Sequence, residues 1–399
     1  MITKECPVPA SFKDMIGNII FLTIIFFLTF ISRFIFAPLM PTISRDLGLS
    51  FSQSGSIFLI GSVGVFIGSL GSGFVSSRLN HRRTLILSLF GVGLALLACA
   101  FTTSLWTIMA TMIILGMAAG LQLPSNIAII TAIVGRKDWG KALSVQQMAP
   151  PLSLILGPLL SVIMLTLFSW RVPLSSIALM ALIMGFVMIR FGKFGGFPGD
   201  QPNISIAKLI LKEKAFWIMI LLFSLGIGGQ VGVYAMLPLY LVSEKGLSQD
   251  LANTLIGLSQ ISALFMTFLA GWVSDRIGEK RAIVLFLTIS GLFTVLLGLL
   301  SGFWLKIVIF LQPALIVCYF PAGFAALSRI VQPNLRSLVS AWAPPAAFIL
   351  GGGLFPAGLG YMGQVYSFGI GIALGGCIII AGSLLTTFLR LIDQLEEGC

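Results

Sequence analysis

Residues 271–281 read GWVSDRIGEKR, and residues 73–83 read GFVSSRLNHRR. Each closes an apolar run and ends on basic residues. Two more pairs share nearly the same offset. APPLSLILG at 149–157 matches APPAAFILG at 343–351, and LPSNIAIITAIV at 123–134 aligns with FPAGFAALSRIV at 320–331. Three landmarks repeated at a shift of about 195 residues divide the chain into two related halves. The spacing predicts an N-terminal bundle over 1–190, a polar, Gly/Pro-bearing linker over 191–214, and a C-terminal bundle over 215–399.

The composition names the solvent of those halves. Of 399 residues, 57% are hydrophobic and 9% are charged, against about 25% charged in a soluble domain. Apolar runs of about 20 residues, long enough to span a bilayer as helix, occur twelve times, from 16–42 to 365–390. The expected fold is an all-α polytopic membrane protein with twelve transmembrane helices in two pseudo-symmetric six-helix bundles. The polar N-terminus MITKECPVPASFKD and the long first run fit a retained helix rather than a cleaved signal.

The net charge of +11 would suit a nucleic-acid partner, but its distribution does not. Of the 24 Lys and Arg residues, 19 fall in one set of alternate loops and the termini, among them Arg78, Arg82, Arg83, Lys280 and Arg281. The other set holds Arg45, Arg171, Lys245 and Lys306. This is the positive-inside pattern. It predicts a multi-pass protein of the cell (plasma or inner) membrane with both termini cytoplasmic, and the lipid bilayer as its surroundings. The five cysteines show no metal spacing and no disulfide framework. No Ser/His/Asp set and no phosphate loop is present, so neither an enzyme nor a cofactor or metal site is expected.

The stretch 271–281 closely resembles the loop signature of the major facilitator superfamily, a Gly, three residues, Asp, a basic residue, one residue, Gly, then basic residues. Gly271, Asp275, Arg276, Gly278 and Lys280 fill it. The N-terminal copy departs from it, with Ser77 in place of the acid and Asn80 in place of the second Gly. GPLLS at 157–161 and SWRVP at 169–173 are similar to the family's Gly-Pro pair in helix 5 and the Trp-Arg after it. The resemblance covers the whole chain. It implies a secondary transporter, and a gating role for Gly271, Asp275, Arg276 and Gly278, with the Asp275 carboxylate capping the start of the fifth helix near Ala142. Retention of basic residues in the cytoplasm would explain Arg276 and Lys280 but not Asp275.

Inside a bilayer a polar side chain needs an internal partner or a watery cavity. Large polar residues therefore map the cavity. Arg33 lies in the first run, Gln122 and Asn126 in the fourth, Gln146 and Gln147 in the fifth, Gln230 and Tyr234 in the seventh, Gln260 in the eighth and Gln312 in the tenth. The third, sixth, ninth and twelfth runs have no Arg, Gln, Asn or Tyr in their cores. The resemblance assigns those four to the lipid-facing periphery. Any single Gln could instead be interhelical glue.

Arg33 is the only charge between Asp14 and Arg45. It stands about 28 Å and 18 Å from them at 1.5 Å per residue, near the bilayer midplane. Burying it costs about 3 kcal/mol on insertion scales. All thirteen acidic residues lie in loops, termini or the linker. The partner that best offsets the cost is an anion arriving with the substrate in a two-pronged contact. The alternative is a structural Arg bonded to carbonyls freed near Pro38 and Pro41. The expected protein is a monomeric secondary transporter moving a small organic anion such as a carboxylate by alternating access, proton-coupled or by anion exchange. Arg33 binds the anion, and Gln122, Asn126, Gln230, Tyr234, Gln260 and Gln312 orient it. An exporter of lipophilic or drug-like compounds, with Arg33 structural, is the main alternative. A non-transporting membrane receptor on the same scaffold is a further one.

Overall fold

The computed structural model describes residues 12–199, 209–332 and 335–391, with the side chains at 267–271, 275, 337 and 341 also outside the description. Among the described residues, eleven helices are long and apolar enough to cross a membrane. In the first half they are α1 (Phe12–Leu47), α2 (Phe51–Leu79), α3 (His81–Ala100), α4 (Leu105–Ile133), α5 (Arg136–Leu165) and α6 (Arg171–Phe191). The second half has α7 (Lys214–Ser243), α9 (Glu279–Leu299), α10 (Gly302–Ser328), α11 (Leu338–Val365) and α12 (Phe368–Phe388). A further 29-residue helix, α8 (Gln249–Ile277), completes the expected twelve. Below, the two ends of the bundle are named for their turns, the Gly48 end and the Asn80 end.

Proline breaks several rods, and it does so symmetrically. A proline has no N–H for the carbonyl four residues back. In α4 the helix parts at Leu121, before Pro124, and in α10 at Val317 and Cys318, before Pro321. These two prolines are partners in the sequence repeat. In α4 the Gly120 and Leu121 carbonyls by the break are met from α2, by Ser69 Oγ at 3.3 Å and Ser72 Oγ at 3.0 Å. α1 parts at Ile35, ahead of Pro38.

The periphery is as the polarity map expects. α3 packs on α6 and α9 packs on α12, and these four turn Leu94, Phe186, Leu292 and Ile378 outward. The glycines of α2 divide their work. A Cβ at Gly64 or Gly68 would strike the α4 backbone at Ile113 or Met117, within the same half. Gly55 instead lies against Pro356 and Ala357 of α11, and Gly353 of α11 against Ser62. Only this second group serves the contact between halves.

Each half is clasped at the Gly48 end. In the first, the Asp46 carboxylate accepts from Trp170 Nε1 at 2.9 Å and Arg171 Nη1 at 2.7 Å, which gives the SWRVP stretch its task of joining α1 to α6. In the second, the Glu244 carboxylate accepts from the backbone N–H groups of Phe368 (2.6 Å) and Gly369 (3.1 Å), joining α7 to the N-terminus of α12.

At the Asn80 end, His81 opens α3 and is buried. Its Nδ1 lies 3.2 Å from Ser125 Oγ, and residues 195–199 fold over the turn through backbone bonds from His81 to Phe197 and Arg82 to Gly195. Arg276 is exposed, with its guanidinium 4.1 Å from the Trp272 ring, and Gly278 turns the chain between α8 and α9. Ala142 is buried beneath α1. The Gly271 position and the Asp275 side chain lie outside the described residues.

Candidate functional site

Arg33 sits five residues before Pro38, in the last turn of the first straight piece of α1. Its guanidinium carbon lies 5.1 Å from the centre of the Phe30 ring, 5.4 Å from Phe34 and 5.4 Å from Phe348 of α11. Aromatic faces attract cations at such distances. Among the described residues Arg33 forms no ion pair, and its buried Nε has no hydrogen-bond partner. The polar atoms by the break in α1 are met from α8 instead. The Pro38 carbonyl accepts from Gln249 Nε2 at 2.9 Å and Asn253 Nδ2 at 3.1 Å, and Thr42 Oγ1 donates to Gln249 Oε1 at 2.8 Å.

Arg33 opens into a cavity of about 30 Å³ at the meeting of α1, α2, α4, α7 and α11. Arg33 and Ser62 are the polar residues of its wall; Phe34, Phe58, Met112, Val231 and Phe348 supply apolar surface. That volume suits one or two waters and is far below the roughly 300 Å³ at which small-molecule pockets begin. In this closed arrangement the guanidinium faces both halves of the molecule at once.

The other expected site residues do not gather at this cavity. Tyr234 comes nearest: it is buried, its ring meets Phe34 edge-on at 6.3 Å, and its hydroxyl donates to the Leu154 carbonyl of α5 at 3.4 Å. Gln122 and Asn126 are buried inside the first half, toward the Asn80 end. Gln122 has no partner for either amide atom, nor does Gln146, while Asn126 Nδ2 donates to Leu22 O of α1 at 2.9 Å. From Gly116, at the cavity wall, to Gln122 is six residues, or about 9 Å of helix. Gln260 is buried in α8. Gln312 donates to Gly229 O at 2.8 Å and Thr294 Oγ1 at 3.1 Å, so its amide ties α10 to α7 and α9. Gln230 lies half-buried in α7 within a five-residue π-helical segment, Gly228–Gly232.

That segment faces a second one in α11, Ile349–Leu354. A Cβ at Gly232 would meet the Gly351 carbonyl at 2.5 Å, so the backbones cross in contact. Widened turns of this kind often mark functional sites, and here the two lie beside the cavity that Val231 and Gly352 help to line. The aromatic wall escaped the polarity map because a phenylalanine in a membrane helix looks like any lipid-facing residue. The only signal was Phe on either side of Arg33, at positions 30 and 34.

Among the described residues, five hydrogen bonds join the halves between the midplane and the Gly48 end: Gln249 and Asn253 to Pro38, Tyr234 to Leu154, Thr42 to Gln249, and Phe51 N to Gln364 Oε1.

Comparison with known proteins places the whole chain. It matches the family described as Major Facilitator Superfamily over residues 22–356 and 232–398. It is similar to the gallate transporter of Pseudomonas putida, 24% identical over 98% of this chain and 94% of that protein. It is also similar to a probable 4-methylmuconolactone transporter of Cupriavidus pinatubonensis, 24% identical over 91% of this chain and 82% of that one. In fold it resembles a bacterial homologue of the human lysosomal transporter Spinster, with a TM-score of 0.77, 14% identity, and coverage of 95% and 96% of the two chains.

Proposed function

The chain belongs to the Major Facilitator Superfamily, and we propose that it is a secondary transporter of a small organic anion, with Arg33 as the anion's anchor. The observation that carries this is the buried Nε of Arg33, without a hydrogen-bond partner, at a cavity walled by both halves. A carboxylate meeting the guanidinium edge would form a charge-assisted, two-pronged contact. The names of the relatives, gallate and 4-methylmuconolactone transporters, support a compact organic acid as cargo. The lining adds that its body is apolar.

Where the halves touch supports alternating access. They are bonded from the midplane to the Gly48 end, and Arg33 lies at the inner limit of that closed zone. We read the Asn80 end and both termini as cytoplasmic from the basic loops, which makes the closed end the outer one in this scheme. Opening it would require the contact of Gly55 with Pro356 and Ala357 of α11 to part. Gln122, Asn126 and Gln146, buried with unpartnered amide atoms, form a polar stage between Arg33 and the cytoplasm. An unpartnered buried amide costs about 1–3 kcal/mol, which water or a passing anion would relieve. Asp275 and Arg276 work the cytoplasmic gate in this scheme. Movement is proton-coupled or by anion exchange.

The apolar lining also suits a second reading, export of a lipophilic compound with Arg33 structural. A thermal-shift screen of the purified protein separates the two. Benzoate, gallate and short-chain carboxylates should raise the melting temperature, and the matching methyl esters should not. Stabilisation by esters as strong as by acids would favour the lipophilic reading.

A further inference from the structure

We propose that Phe348 is a specificity-determining residue that gives the carrier its preference for anions with a flat aromatic body. The proposal rests on the reading of Arg33 as the anion anchor and concerns the other end of the same cargo.

Phe348 is the only one of the three rings around Arg33 that comes from the second half. Phe30 and Phe34 ride on α1 with Arg33, so they move with it. Phe348 ends the straight first piece of α11, directly before the π-helical segment Ile349–Leu354. Its ring lies along its own helix over Gly352, where an added Cβ would meet the ring carbons at 2.7–3.0 Å. Gly352 therefore leaves the space the ring occupies, and both residues line the cavity. The ring also meets Phe34 perpendicularly, at 6.3 Å and 90°.

This arrangement sorts the contacts of Arg33 by chemistry. Ring faces answer its charge, and its Nε is left for an acceptor. A carboxylate taking that acceptor role neutralises the charge and weakens the attraction to Phe348, which is electrostatic. The freed ring then has a face to offer the body of the same anion. An aromatic body gains offset or edge-to-face contact, worth more than its area alone. An alicyclic body of equal charge and similar size gains only the area.

The test measures binding of benzoate and of cyclohexanecarboxylate to purified wild type, Phe348→Leu and Phe348→Tyr. Wild type should bind benzoate about fivefold tighter, in the range expected for an aromatic contact. Phe348→Leu should bring that ratio to about one and keep cyclohexanecarboxylate affinity within about threefold. Phe348→Tyr, which retains the ring, should keep the ratio. Equal weakening for both acids in Phe348→Leu would make Phe348 a packing residue and overturn the proposal. So would a wild type without preference, or a Phe348→Leu protein that keeps it. If wild type binds neither acid, the anion reading itself falls, and this one with it.

Discussion

Asn80 and Gly278 turn the chain at matching places in the two halves with the same backbone: φ 74° and ψ 163° for one, φ 82° and ψ 154° for the other. Asn80 is the one non-glycine residue at positive φ among the described residues. The conformation is one that L side chains avoid, at a cost of order 1–3 kcal/mol. Asn80 recovers part of that by capping α3, its Oδ1 accepting from Arg83 N at 2.9 Å.

Replacing Asn80 by Gly should therefore stabilise the protein. The cap is worth only a few tenths of a kcal/mol relative to glycine, and the freer unfolded chain costs up to about 1 kcal/mol. A net gain of about 1 kcal/mol is expected, seen as a higher melting temperature in detergent. Asn80→Ala, which keeps the strain and loses the cap, should melt earlier than wild type.

The clasps at the Gly48 end should be unequal under mutation. Glu244→Gln removes the charge that two N–H groups of the α12 N-terminus share, where a helix end favours an anion. A loss of about 1–2 kcal/mol is expected. Asp46→Asn should cost less: both carboxylates are exposed, but Asp46 faces a solvated ion pair with Arg171, worth about 0–1 kcal/mol, rather than a helix N-terminus. Chemical unfolding of the two variants, side by side, gives the order.

The gate can be tested through its asymmetry. Asp275→Asn should loosen cytoplasmic closure and favour the inward-open state. Ser77→Ala should do much less, since Ser77 Oγ only donates to the Phe74 carbonyl of its own helix. Labelling of engineered cysteines on each side reports the change, and equal shifts for both variants would remove the asymmetry.

The fold was legible because its signals are long and repeated. Twelve apolar runs, alternating basic loops and paired prolines each recur in both halves, and Pro124 and Pro321 break their helices at matching points as the repeat requires. Arg33 was legible because a charge in an apolar run has few explanations. The rest of the site was not. Gln312, an apparent ligand by composition, spends its amide between helices, and the polarity map could not distinguish that from a free one. Phe58, Met112 and Phe348 became visible only when packing put them around Arg33. Asp46 and Glu244 looked like ordinary loop acids until their partners, far along the chain, came beside them.

The most direct test of Arg33 is a paired measurement of melting temperature and benzoate binding on Arg33→Lys and Arg33→Gln. Lysine keeps the charge and loses the planar fork, so the protein should fold and bind more weakly, by tenfold or more. Glutamine should abolish binding, and the ligand-free protein should melt at or above the wild-type temperature because a costly buried charge is gone. An Arg33→Gln protein that melts earlier yet binds and transports benzoate as wild type does would contradict the account and make Arg33 a packing residue.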